Sequence, residues 1–75
     1  MERYKRLGGD SGVVAYEIGE GAITVLFDNG WHYLYTKRSA GAGNIAQMHR
    51  LAKAGRGLST FISQTVHNRY ERKWQ

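Results

Sequence analysis

The sequence predicts an α+β domain, in which a three-stranded antiparallel β-meander is followed by two C-terminal helices packed on one face of the sheet. Before residue 37, apolar residues alternate with polar ones in successive segments, and the turns between these segments are too short for a crossover. After residue 43, apolar residues recur at helical spacing. Because all the strands precede the helices, a parallel α/β sheet is not expected.

The predicted strands cover residues 14–18, 23–27 and 31–36. Val14, Tyr16 and Ile18 alternate along the first of them, and Gly19-Glu20-Gly21 supplies the turn that follows. Residues 1–10 end in Gly8-Gly9-Asp10 and are predicted to form a flexible basic arm. Residues 11–75 are predicted to form the single domain that a chain of this length allows.

The helical half is predicted to begin after a flexible loop at residues 40–43. Asn44 is placed as the N-cap of a first helix, with Gln47 in the capping-box position and Gly55 as the C-terminal cap. Residues 55–57 allow only a tight bend, after which Ser59 or Thr60 caps a second helix. One apolar face of this helix runs to Tyr70, and residues 71–75 are expected to fray.

The turn between the second and third strands decides where the aromatic residues Trp31, Tyr33 and Tyr35 point. A two-residue Asn-Gly turn would pair residue 26 with 33 and leave both faces of the sheet mixed. A three-residue loop over residues 28–30 would pair 27 with 31, 25 with 33 and 23 with 35, which places the bulky apolar groups on one face. We favour the three-residue loop, since a chain this short cannot leave such a face bare. Tyr33 and Tyr35 are then mainly core residues, with hydroxyl groups that need a partner.

Composition excludes several classes of site. The chain has no cysteine, so disulfides and thiolate metal sites are absent. No segment approaches the roughly 20 apolar residues that span a bilayer. The N-terminal segment lacks the apolar stretch of a secretory signal, and a cytoplasmic bacterial or phage-type protein is therefore expected.

Catalytic and cofactor motifs are weak. Gly9-Asp10-Ser11-Gly12 matches the string around the nucleophile of trypsin-like proteases, but a chain of this size cannot supply the rest of that machinery. The histidines are not spaced for a metal site, and Gly41-Ala-Gly43 lacks the other residues of a phosphate loop or dinucleotide fingerprint. A simple anion site at the predicted helix N-termini, residues 43–44 and 57–59, stays open beside ordinary capping. An enzyme, a metal and a cofactor are not expected.

Charge is segregated along the chain, whose net charge is +5. Residues 7–35 carry four acidic residues and no Lys or Arg, whereas residues 36–75 carry eight basic residues against Glu71 alone. Such a field attracts a polyanion, although a solvated helix surface explains the same pattern. The predicted nucleic-acid-binding residues are Lys37, Arg38, Arg50, Lys53, Arg56, Arg69, Arg72 and Lys73.

The central residues resemble the KTSC domain family. The resemblance rests on Ser11-Gly-Val-Val14, Tyr16-Glu17, Ile23-x-Val25-x-Phe27, Gly30 and the Tyr33-x-Tyr35 motif, and it covers roughly residues 11–66. That family occurs at the C-terminus of some lysyl-tRNA synthetases and as free-standing bacterial proteins. The resemblance implies a domain of about this size and, through the synthetase context, RNA binding.

Two hypotheses for function follow. The first is a small non-enzymatic module that binds RNA, such as a tRNA-like molecule, mainly through phosphates. The second is a protein-interaction or homodimerisation module that uses an exposed edge strand or the sheet face bearing Thr24, Leu26, His32 and Leu34.

Overall fold

The computed structural model describes residues 1–8 and 12–75. Its elements follow the chain in the order β1 (Glu2–Arg3), β2 (Val13–Gly19), β3 (Ala22–Phe27), β4 (His32–Thr36), α1 (Lys37–Ala40), α2 (Ala42–Ala54), α3 (Leu58–Phe61), a π-helix (Ile62–Val66) and β5 (Arg72–Trp74). Across the described residues, the strands form one five-stranded antiparallel sheet in chain order. The α+β class is confirmed, and the predicted three-stranded meander is the centre of a wider sheet.

The turn between β3 and β4 has the predicted three-residue form. Val25 pairs with Tyr33 and Ile23 with Tyr35, and the Phe27 N–H donates to the Trp31 carbonyl at 2.9 Å. Gly30 has a φ of 89°, in the left-handed region that this loop requires, and its N–H donates to the Phe27 carbonyl at 3.0 Å. The prediction that Tyr35 belongs to the core is confirmed, since only 1 % of it is exposed and its hydroxyl donates to the His67 carbonyl.

A β-bulge changes which residues of β2 face the core. Val13 pairs with Phe27 and Ala15 with Leu26, so Val14 is an extra residue in the ladder. The extra residue places Val13, rather than Val14, beside Tyr16 and Ile18 on the side that the helices cover, and Val13 is fully buried. The simple alternation predicted from Val14 onward is therefore wrong at its first position.

The described part of the N-terminal segment, residues 1–8, packs on the fold, which corrects the predicted flexible arm over that part of residues 1–10. Glu2 and Arg3 pair with Tyr16 and Ala15 as β1. Tyr4 is only 2 % exposed, and its hydroxyl accepts a hydrogen bond from the Leu58 N–H at 3.1 Å. A buried aromatic ring with a satisfied hydroxyl holds this segment against the helices. Residues 9–11, and with them most of the protease-like Gly-Asp-Ser-Gly string, lie outside the described residues.

Two of the predicted helix signals are replaced by others. Thr36 and Ser39 form a capping box, with each side chain accepting from the other's backbone N–H, and this box starts α1, a short helix that was not predicted. Of the loop predicted at residues 40–43, only Gly41 lies outside α1 and α2. Asn44 is not an N-cap, because α2 already begins at Ala42, and its side-chain amide donates to the Ala40 carbonyl at 2.8 Å. The prediction for Gly55 is confirmed, since it ends α2 with a φ of 79° and donates to the carbonyls of Leu51 and Ala52.

The second predicted helix is shorter than expected and is not capped by Ser59 or Thr60. It begins after Gly57 as α3 and widens into the π-helix. It ends where the His67 N–H donates to the Ile62 carbonyl at 2.6 Å. His67 has a φ of 44°, so the backbone turns away from the helix axis at this residue. The tail that was expected to fray pairs with β4 instead, as β5.

The core lies between one face of the sheet and the helices, and we call this side of the sheet the covered face. Its buried residues are Tyr4, Val13, Tyr16, Ile23, Val25, Tyr35, Ala40, Ile45, Met48, Ala52, Leu58, Ile62 and Val66. The opposite side, which we call the open face, carries Ala15, Glu17, Thr24, Leu26, His32, Leu34, Arg72 and Trp74 according to the strand register. Of its apolar residues, Ala15, Leu26 and Leu34 are half-buried and Trp74 is exposed.

Candidate nucleic-acid interface

All eight predicted nucleic-acid-binding residues are exposed, but they form three separate groups. The α1 pair consists of Lys37 and Arg38, the bend group of Arg50, Lys53 and Arg56, and the C-terminal group of Arg69, Arg72 and Lys73. None of the eight takes part in an ion pair in the part of the chain that the structure describes. Their charges are therefore available to a ligand.

The single basic stripe predicted along the second helix does not form. That prediction required the helix to continue through Arg72 and Lys73, whereas these residues lie on β5. Arg69 lies between the π-helix and β5, where its N–H donates to the Val66 carbonyl at 2.7 Å. The C-terminal group is consequently a feature of the sheet edge and not of a helix face.

The C-terminal group lies among aromatic rings. The Lys73 ammonium is 5.3 Å from the centre of the Trp31 ring and 5.6 Å from that of Tyr70. On the open face, the Arg72 guanidinium lies 5.6 Å from the centre of the Trp74 ring. Such cation–π contacts hold the cations in place while leaving them exposed to an anion.

His32 extends this aromatic surface along the open face. Its imidazole stacks on the Trp74 ring, with centroids 5.3 Å apart and planes 6° from parallel. The His32 Nδ1 atom is buried and has no hydrogen-bond partner among the described residues. The sequence reasoning missed the partnership of these rings with the basic residues, although the order Arg72-Lys73-Trp74 in a β-compatible segment was a usable signal.

The bend group is joined by residues of the N-terminal segment. The Leu7 N–H donates to the Gly55 carbonyl at 2.6 Å, and Lys5 packs so closely that a Cβ atom on Gly55 would lie 2.7 Å from the Lys5 Cβ. Lys5 thus packs against Gly55, the residue directly before Arg56. Within the group, Lys53 lines a surface groove together with Glu2 and Glu17, which weakens its field toward a phosphate.

The α1 pair is set by the capping box at Thr36. The aliphatic part of Lys37 packs over Gly21, where an added Cβ would lie 3.0 Å from the lysine Cε. The Lys37 N–H donates to the Gly21 carbonyl at 3.0 Å, which ties α1 to the β2–β3 turn. Arg38 is exposed beside it.

The anion sites considered at the two helix N-termini fall at or near the observed helix starts. α3 begins at Leu58, within the predicted residues 57–59, and α2 begins at Ala42, one residue before the predicted 43–44. At α3, the Leu58 N–H is taken by the Tyr4 hydroxyl and is therefore not available to an anion. The Phe61 and Ile45 N–H groups make the first backbone hydrogen bonds of the two helices, to the carbonyls of Gly57 and Gly41. An anion site at either terminus stays a prediction.

A cavity of about 300 Å³ opens on the covered side of the sheet, between β4 and the π-helix. We call it the aromatic cavity, and its lining residues are Phe27, Asn29, Tyr33, Tyr35, Ile62, Ser63, His67, Asn68 and Tyr70. The Tyr33 ring contacts Phe27 and Tyr70 edge to face, with centroids 5.3 and 5.1 Å apart. The two tyrosines of the Tyr33-x-Tyr35 motif therefore differ in role, because Tyr35 is buried while Tyr33 is half-buried at the cavity.

The phenol of Tyr35 is held in its neutral form. Burial raises its pKa well above the ordinary value, and the neighbouring phenols of Tyr33 and Tyr70 raise it further. A neutral hydroxyl is what the hydrogen bond to the His67 carbonyl requires, since it must donate a proton at 3.2 Å. The Tyr35 hydroxyl therefore holds the backbone of His67, which forms part of the cavity wall, in place.

The described residues contain neither a metal-binding cluster nor a membrane-spanning helix. No cluster of three or more His, Cys, Asp or Glu side chains there could hold a metal ion. In the same residues, no helix has both the length and the hydrophobicity needed to cross a bilayer.

Comparison with known proteins gives no relative for this chain. No family model matches it, and no curated protein and no solved structure matches it. The resemblance to the KTSC family accordingly stays a prediction from the sequence.

Proposed function

We propose that this chain is a small, non-enzymatic RNA-binding module that contacts the RNA backbone through its exposed basic residues. The observation that carries the proposal is the C-terminal group, where Arg72 and Lys73 lie beside the rings of Trp74, Trp31 and Tyr70. Cations interleaved with partly exposed aromatic rings are typical of surfaces that bind single-stranded nucleic acid. The net charge of +5 adds a long-range attraction, and the resemblance to the KTSC family adds a tRNA-synthetase context.

The C-terminal group is the better phosphate site of the three. Among the described residues its cations form no ion pair, and the adjacent Glu71 carboxylate accepts a hydrogen bond from the Thr36 hydroxyl at 2.8 Å. The bend group includes Lys53, which shares its groove with Glu2 and Glu17. We therefore assign the main contact to the edge of the sheet formed by β5.

The test is a titration of labelled single-stranded RNA at low and at high salt. We expect the logarithm of the affinity to fall linearly with the logarithm of the salt concentration, with a slope of about −0.7 for each phosphate contacted. Arg72→Glu with Lys73→Glu should weaken binding at low salt by about tenfold or more and flatten that slope. No binding of the wild-type chain even at low salt would refute the proposal.

A matched control separates a located site from general charge. Arg50→Glu with Lys53→Glu changes the net charge by the same amount but lies in the bend group. We expect it to weaken binding less than the C-terminal pair does. Equal losses from the two pairs would show that the RNA responds to net charge alone and that β5 is not the contact surface.

The second candidate function is a protein-interaction or homodimerisation module. It is favoured by the open face, where Leu26 and Leu34 are half-buried without a covering helix and Trp74 is 37 % exposed. β5 also leaves a short edge of the sheet unpaired among the described residues. Sedimentation across a range of concentrations tests the homodimer, which a constant monomer mass would exclude.

A further inference from the structure

We propose that the aromatic cavity binds a single nucleobase that carries a phosphate, either as a free nucleotide or as one unstacked base of a single-stranded RNA. The second form rests on the proposed RNA binding and adds a base-binding site to it. The main evidence is the cavity itself, which lies beside the C-terminal group and is lined by aromatic rings.

The size and walls of the cavity suit a small planar ligand. Its volume of about 300 Å³ is at the lower end of the range of about 300–1,000 Å³ found for small-molecule sites. Phe27, Tyr33 and Tyr70 supply apolar ring surface. Proteins hold unstacked bases of single-stranded nucleic acids against such rings.

The wall opposite the sheet is held in a strained backbone conformation. His67 has a φ of 44°, which is uncommon for a residue with a Cβ atom. Two hydrogen bonds keep it there, one from its own N–H to the Ile62 carbonyl and one from the Tyr35 hydroxyl to its carbonyl. Strain of this kind, next to a π-helix, is often found where a protein shapes a binding site.

Polar groups stand among the aromatic rings. Asn29 uses its Oδ1 atom to accept from the Trp31 N–H at 3.0 Å, which leaves its NH₂ group to donate. The hydroxyl of Ser63 donates to the Thr60 carbonyl at 3.2 Å and can still accept a hydrogen bond. Asn68 adds an exposed amide. The edge of a base carries both hydrogen-bond donors and acceptors. A pocket that offers both kinds of group therefore suits a base better than it suits a purely apolar ligand.

The charge beside the cavity decides between two ligands that aromatic pockets take. The Lys73 ammonium lies 5.6 Å from the centre of the Tyr70 ring, a wall of the cavity. It would repel an organic cation such as a quaternary ammonium and would attract the phosphate attached to a base. The occupant is therefore a nucleotide rather than a cation.

The experiment is an amide chemical-shift titration of the full chain. The ligands are a nucleoside monophosphate, ribose 5-phosphate, which lacks the base, and a short RNA supplied as a single strand and as a duplex. Two variants are compared, Ser63→Trp, which fills the cavity, and Gln64→Trp, which places the same side chain on the neighbouring exposed residue. We expect the nucleotide to shift the amides of cavity residues, and ribose 5-phosphate not to do so. Ser63→Trp should weaken this binding by about tenfold or more, while Gln64→Trp leaves it unchanged.

The outcomes for the cavity and for RNA binding are distinguishable. If single-stranded RNA binds without shifting the cavity residues, and equally to both variants, the base site is refuted and RNA binding stands. If the nucleotide occupies the cavity but no RNA binds, the cavity is a free-nucleotide site and the RNA proposal fails. A single strand that binds more tightly than its duplex, with the difference lost in Ser63→Trp, supports both. Absence of any shift with either ligand refutes the base site.

Discussion

Tyr35 donates a hydrogen bond that supports the cavity wall, and the burial of its phenol makes the stability of the fold depend on pH. The residue is 1 % exposed, and the pKa of its phenol is raised by burial first and by the neighbouring phenols of Tyr33 and Tyr70 second. Because the folded state binds this proton more tightly than the unfolded chain does, the corresponding stability is fully present below the ordinary tyrosine pKa of about 10 and is lost as the pH rises above it.

We therefore predict that the free energy of unfolding falls above about pH 10 and that Tyr35→Phe reduces this fall. At neutral pH the variant loses the bond to the His67 carbonyl and should be less stable by about 1 kcal/mol. Urea unfolding at neutral and at alkaline pH measures both effects. An equal alkaline loss in the two proteins would show that Tyr35 does not cause it.

His67 allows the backbone strain to be separated from the side chain. Its φ of 44° favours glycine, whereas His67→Ala keeps the strain and removes only the imidazole. We expect His67→Gly to be more stable than His67→Ala by about 1 kcal/mol, because relief of strain exceeds the entropy that glycine adds to the unfolded chain. Urea unfolding of the two variants checks this. An alanine variant of equal or greater stability would mean that the backbone relaxes without cost.

At the scale of elements, the two glycines at either end of α2 are expected to respond in opposite ways to substitution by alanine. Gly43 lies inside α2, and a Cβ atom there would meet nothing within 4 Å. Gly55 ends the helix at a φ of 79°, and its Cβ would come within 2.7 Å of the Lys5 Cβ. The first glycine only weakens the helix, while the second is required by the cap and by the N-terminal segment packed on it.

We predict that Gly43→Ala raises the free energy of unfolding by no more than about 0.5–1 kcal/mol, which is the difference in helix propensity between the two residues in a helix interior, because Gly43 lies in the first turn of α2. Gly55→Ala should lower it by about 1–2 kcal/mol or more, since it forces an L-residue into the left-handed region and displaces Lys5. Thermal unfolding of both variants is the measurement. The same sign in both would contradict the assignment of Gly55 as the cap.

The elements predicted well are those whose signals are local. The β3–β4 loop follows from Asp28-Asn29-Gly30 together with the apolar residues on either side, and the C-cap follows from Gly55 at the end of a helical pattern. Each of these signals lies within a few residues of the feature that it specifies, so no distant partner had to be known.

The remaining elements depend on distant contacts. β1 and β5 are two and three residues long and exist because β2 and β4 offer free edges. The bulge at Val14 is set by the partner strand, and nothing in the sequence near His67, neither Gly nor Pro, marks the end of the helix there. Because the predicted helix was too long, Arg72 and Lys73 were assigned to a helix face, whereas they lie on β5. All eight basic residues were predicted as candidates, but their grouping required the fold.

At the scale of the whole molecule, a net charge of +5 acts on a chain of 75 residues whose lysines and arginines are all exposed. The eight candidate residues have no ion pair within the described part of the chain, so like charges repel across the surface with little compensation. Repulsion of this kind disfavours the folded state and is screened by salt over a Debye length of about 10 Å at 0.1 M.

We predict that moderate sodium chloride raises the free energy of unfolding, by no more than about 1 kcal/mol, because the repelling charges are exposed. Arg50→Gln, which lowers the net charge to +4 at an exposed position of α2, should reduce the salt effect. Thermal unfolding at low and moderate salt measures it, and a shift of about 4–8 °C corresponds to 1 kcal/mol in a domain of this size. A stability that falls with salt would mean that attractions dominate the surface. Such a surface would hold its cations for internal contacts and would offer few of them to the RNA backbone.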